Sequence, residues 1–69
     1  MKTLKYNNFE EIQSGDEVII HSFSKWNCKC GIVENINKID KRAEVFCMEY
    51  PDLRYIVRED NIGDIEIIG

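Results

Sequence analysis

Apolar residues in this chain come in short runs, separated by turn-forming residues, and most runs are spaced by two. Residues 17–22 are rich in β-branched side chains and follow Ser14, Gly15 and Asp16, a turn signal, so they read as a strand. Upstream, Phe9 and Ile12 stand three apart, the spacing of a single helical turn leading into that strand. Residues 23–27 form a polar, aromatic-bearing loop, and a second strand is predicted over 29–36. Gly31, early in that strand, marks a bulge or a close backbone approach. After a polar hairpin connection at 37–41, a third strand runs over 42–49, with Ala43, Val45 and Cys47 alternating with Glu44, Phe46 and Met48. Pro51 places a turn at 50–53, because proline presets φ and cannot donate to a strand ladder. A fourth strand over 54–58, a 3₁₀ turn over 59–62 and a last strand over 64–68 complete the chain.

No stretch past the first dozen residues sustains a helical stripe. Short strands at intervals of about ten residues predict an all-β barrel or sandwich. The 69 residues allow one domain, 1–69, with 1–11 as an N-terminal extension.

The order of these parts resembles the small SH3-like barrels, a group that includes SH3, Tudor and KOW domains. The matching residues are Gly15, Asp16, Glu17 and Val18, where a tight turn launches a strand, and Gly31, Ile32 and Val33 with Ile36 in the second strand. To these is added the run from Val57 to Ile62, where a strand enters a 3₁₀ turn before the closing strand. The resemblance spans roughly residues 12–68 and implies a five-stranded SH3-like barrel with a short N-terminal helical turn and a 3₁₀ turn before the last strand. It departs from the KOW pattern, where Cys28, Lys29 and Cys30 stand in place of a second glycine and a basic residue. It departs from proline-recognising SH3 domains too, since Phe23, Lys25 and Trp26 occupy the first long loop instead of acidic residues. The resemblance therefore implies an architecture and no particular subfamily.

Charge and chemistry narrow the function. The net charge of −4 lowers the expectation of nucleic-acid binding, which draws most of its affinity from neutralised phosphates. Three cysteines, an odd number, and no leader-like apolar run lead to the expectation of reduced thiols in a cytoplasmic protein with no membrane association. His21, Cys28, Cys30 and Cys47 are the one candidate metal set, but Cys28 and Cys30 are a residue too close for a zinc knuckle. Cys30 and Cys47 read as small core residues, Cys28 as a loop residue, and no metal or cofactor is expected. His21 and Ser22 are neighbours on a predicted strand and point opposite ways, so they form no catalytic pair. The acidic pairs Glu10/Glu11 and Glu59/Asp60 read as solvated turn charges. An enzyme is not expected.

Binding is the better-supported function class. Phe23, Lys25 and Trp26 lie in a polar loop. With Ala43, Val45 and Cys47 inward, Phe46 and Met48 face outward; with Tyr55 and Val57 inward, so do Arg54, Ile56 and Arg58. Aromatic, methionine and arginine side chains on one surface are the composition of interface hot spots. The competing reading packs Phe46 beneath the N-terminal segment around Tyr6 and Phe9. The expected partner is a protein or peptide, a second copy included. The alternative is a KOW- or Tudor-like nucleic-acid binder that uses the basic residues of the middle of the chain, with Trp26 and Tyr50 as stacking platforms.

Overall fold

The computed structural model describes residues 3–68. Among them lie six strands in one open antiparallel sheet: β1 (Thr3–Lys5), β2 (Glu17–Ile20), β3 (Cys30–Asn37), β4 (Arg42–Phe46), β5 (Tyr55–Arg58) and β6 (Ile65–Ile68). Two 3₁₀ turns interrupt them, η1 (Phe9–Glu11) and η2 (Glu59–Asp64). The order across the sheet is β1-β6-β2-β3-β4-β5. The chain is thus all-β, and its described residues form six strands where the hydrophobic pattern predicts five. The additional strand, β1, is too short and too mixed in polarity to leave a period, and its partner β6 lies at the other end of the chain (Leu4 opposite Ile67).

Local chemistry accounts for most boundaries. Phe9 opens η1 and Ile12 caps it, with 0% and 1% exposure, so the spacing of three drops both into the core. Gly15 takes φ +93°, a conformation open to glycine at little cost, and donates to Val33 O, which starts β2 alongside β3. β2 ends at Ile20, short of the expected Ser22: His21 N still donates to Asp64 O in the register of β6, but Cys28 N donates to Ile20 O and Ser22 N to Asn27 Oδ1, which turns the chain into the loop. β4 ends at Phe46, short of Glu49, because Tyr50 N donates to Cys47 O and bends the chain into a turn. In the β3–β4 hairpin Asn37 Oδ1 accepts from Ile39 N and Asp40 N, a side chain standing in for a turn backbone.

The expected choice at Gly31 resolves as close approach. A Cβ there would meet Val45 Cγ1 at 2.5 Å and Phe46 O at 2.6 Å. The bulge falls later, between Glu34 and Asn37, where Asn35 adopts φ +54°. Asparagine tolerates that left-handed region better than most residues.

One face of the sheet is dry. Val18, Ile20, Val33, Ala43, Val45, Val57 and Ile65 are each 0–1% exposed. These inner-face residues form a single cluster, with Ile36, Ile62 and Ile67 packed against it. Tyr6, Phe9 and Ile12 belong to the same cluster. No helix among the described residues is long and apolar enough to cross a membrane.

Candidate functional site

Strand parity decides what the outer face carries. Gly31 and Val33 on β3, and Ala43 and Val45 on β4, point inward, so Cys30, Ile32, Glu44 and Phe46 point outward. Register then builds rows. Glu17 stands opposite Ile32, and Ile32 opposite Phe46. In the next row Glu34 faces Glu44 and Glu44 faces Ile56, and beyond it Arg42 faces Arg58.

Around the first row the surface dips into a cleft of about 490 Å³, within the usual size of ligand clefts. Cys28, Cys30, Ile32, Phe46 and Met48 line it together with two carboxylates, Glu17 and Glu49. Met48 is 86% exposed and Ile32 39%, so the apolar lining is open to solvent.

Arg54 closes the β5 side. Its guanidinium carbon lies 4.7 Å from the Phe46 ring centroid, its Nε donates to Glu34 Oε2 at 3.0 Å, and its Nη1 donates to Pro51 O and Leu53 O. Three hydrogen bonds hold it over one face of the ring, a cation on an aromatic quadrupole. Phe46 is thus on the outer face beneath Arg54, not under Tyr6 and Phe9, which belong to the inner core.

The predicted site residues divide into two groups. Phe46, Met48, Arg54, Ile56 and Arg58 belong to the β4 and β5 side of the molecule, where Phe46 and Met48 share the cleft, Ile56 lies one row further on and exposed Arg58 faces Arg42. Phe23, Lys25 and Trp26 belong to the loop between β2 and β3 and do not line the cleft. Phe23 is fully exposed. Trp26 is half-buried: its ring meets Tyr50 edge-on at 5.2 Å and Tyr55 at 5.7 Å, and it packs against the core. Lys25 Nζ lies 5.1 Å from the Tyr50 ring and 5.8 Å from that of Trp26. The loop is therefore fastened to the 47–54 turn by an aromatic cluster, which uses up much of the Trp26 surface.

Cys30, which the sequence pattern places in the core, is exposed, because Gly31 takes the inward position beside it. Cys47 is buried, and burial pushes its thiol above the ordinary value, which makes it a poor nucleophile. His21 turns away from the cysteines and pairs with Glu66 across β2 and β6 at 2.5 Å. No group of three or more His, Cys, Asp or Glu side chains able to hold a metal occurs among the described residues.

Three lysines of the middle of the chain are answered from within. Lys29 pairs with Glu49 at 2.8 Å and Lys41 with Glu59 at 2.9 Å, and in each pair the carboxylate holds the ammonium pKa above its ordinary value. Lys38 Nζ donates to the carbonyls of Glu10 and Ile12.

Sequence reasoning missed Glu17, Cys30 and Ile32 as parts of the cleft. The signal lay in the alternation of Cys30 and Ile32 with Gly31 and Val33, but pairing Ile32 with Phe46 requires the bulge at Asn35 to be counted. Compared with protein-family models, with curated proteins and with solved structures, the chain matches none.

Proposed function

We propose that this chain is a small non-catalytic binding module of the SH3-like barrel kind that engages a protein or peptide partner through the outer face of β3, β4 and β5. The observation that carries the reading is the solvent-open apolar cleft at Ile32, Phe46 and Met48, held beside an arginine already locked in place. A methionine left 86% exposed next to an aromatic ring adapts its shape to an incoming side chain at low cost. Prepositioned Arg54 reduces the entropy lost on docking. The barrel assignment rests on β6 returning beside β2, and on η2 standing between β5 and β6. A cytoplasmic setting rests on the odd number of cysteines, two of them exposed thiols.

The nucleic-acid alternative has less to stand on. A strand of phosphates needs cations free to neutralise it, whereas Lys29, Lys41 and Arg54 are paired with carboxylates and the chain carries a net −4.

The test is capture from a lysate of the source cells by tagged wild-type chain and by Met48→Glu, each with and without nuclease. A protein retained by the wild type, resistant to nuclease and absent from the variant is the expected result. Retention that vanishes with nuclease and falls steeply with salt would replace this reading with the nucleic-acid one.

A further inference from the structure

Resting on that reading, we infer that the cleft takes a basic-apolar peptide segment: one apolar side chain seated between Ile32 and Met48, with a lysine or arginine beside it answering Glu17. The argument is charge complementarity around an apolar floor. The two carboxylates that line the cleft, Glu17 and Glu49, are joined there by no lysine or arginine. Glu49 is already paired with Lys29. Glu17 has no ion-pair partner among the described residues, is exposed, and stands in register with Ile32 and, through it, Phe46. A carboxylate at the end of an apolar row, with no cation of its own, favours a ligand that brings one.

The far end of the row points the same way. Arg54 covers one face of Phe46 and its charge is spent on Glu34, so that end offers no free cation for an acidic ligand. The remaining apolar surface runs from Phe46 through Ile32 toward Cys30 and Met48, and opens on the side of Glu17 and Glu49. A second copy of this chain fits poorly, because it brings the same net −4 to a surface already acidic. An acidic or phosphorylated peptide is disfavoured on the same ground.

The experiment is selection of a randomised heptapeptide library on the immobilised full chain, with Met48→Glu as the counter-selecting column. Enriched peptides are then titrated against the wild type, Glu17→Gln and Met48→Glu. Expected is enrichment of an apolar residue adjacent to lysine or arginine, with affinity lost in Met48→Glu and lowered about fivefold in Glu17→Gln, the effect of one rim charge. That loss should shrink as salt is raised. Enriched peptides that are neutral or acidic, bind Glu17→Gln as tightly as the wild type and still fail on Met48→Glu would overturn the basic-partner assignment while leaving the binding face standing. No enrichment over the Met48→Glu column would overturn this inference, and the lysate capture then decides the fate of the face independently.

Discussion

Tyr6 is 5% exposed, yet its hydroxyl is partnered: it donates to Asp16 Oδ2 at 2.6 Å, and the same oxygen accepts from Gln13 N. One carboxylate thus ties the N-terminal segment to the turn that launches β2. Burial, and then the bond to and charge of Asp16, push the Tyr6 pKa well above the ordinary tyrosine value, and burial raises Tyr55 in the same direction. A raised folded-state pKa favours the protonated form, so the stability it brings is fully present below the unfolded value of about 10 and is lost as pH climbs past it. Urea melts between pH 7 and 11 should therefore show stability falling above about pH 10. In Tyr6→Phe that alkaline loss should be shallower, while stability at pH 7 drops by about 1.5–2 kcal/mol for the missing bond to a charged acceptor. An alkaline limb unchanged in the variant would sink the assignment. Gly31 carries a second prediction. Replacing glycine by alanine gains about 0.4–1 kcal/mol through the unfolded chain, but overpacking against Val45 Cγ1 and the immovable Phe46 carbonyl costs about 1–3 kcal/mol. The clash wins, and Gly31→Ala should lose about 1–2 kcal/mol in the same melts.

Asn61 does for an element what Asp16 does for a turn. β5 is an edge strand, and the edge groups of Ile56 and Arg58 look away from β4. Asn61 Oδ1 accepts from Arg58 N at 2.5 Å and Asn61 Nδ2 donates to Ile56 O at 3.1 Å, so its carboxamide occupies the place of a neighbouring strand's peptide group. To reach it, Asn61 breaks the run of η2, with φ −121° and ψ 16°. An edge left open is a template for pairing with another chain. Asn61→Ala should lose about 1–2 kcal/mol of stability and gain concentration-dependent association in sedimentation velocity. Asn61→Asp keeps the acceptor and loses the donor, so it should fall between the two. Equal stability of all three would show that the cap does nothing. On the facing strands Glu34 stands opposite Glu44, a like-charge pair that would oppose sheet formation. Arg54 takes one of the two and Asn35 Nδ2 the other, so the conflict is resolved by residues outside the pair.

For the whole molecule the relevant balance is between a small core and the proposed binding surface. A domain of this length buries only about 60% of its unfolded surface, so its stability margin is narrow. The core is apolar throughout, with no buried polar or charged residue among those described and no buried side-chain polar atom left without a partner. Met48 lies outside that core, so Met48→Glu should change stability by no more than about 0.5 kcal/mol while removing partner capture. Circular dichroism melts beside the capture experiment separate a lost face from a lost fold. A variant that melts markedly earlier would assign Met48 to packing instead.

What the sequence determined by itself is what local chemistry controls. The β-branched alternation at 17–20, 42–46 and 55–58 specifies which side chains face inward. Glycine at 15 and proline at 51 punctuate the chain whatever the fold around them. From these the all-β class, η1, η2 and the inward or outward facing of Phe46, Met48 and Ile56 were legible. The tertiary structure decided the rest, because strand pairing is long-range and a one-residue slip exchanges the two faces. Asn37 pairs with Arg42, yet Glu34 pairs with Glu44, and the extra residue at Asn35 brings Ile32 across from Phe46. Counting back from the hairpin turn without that bulge would set Phe46 opposite inward-facing Val33, and the cleft would not exist. β1 became a strand only because β6, some sixty residues away in sequence, offered it an edge. Trp26 left its loop surface only because Tyr50 and Tyr55, from distant segments, met it there.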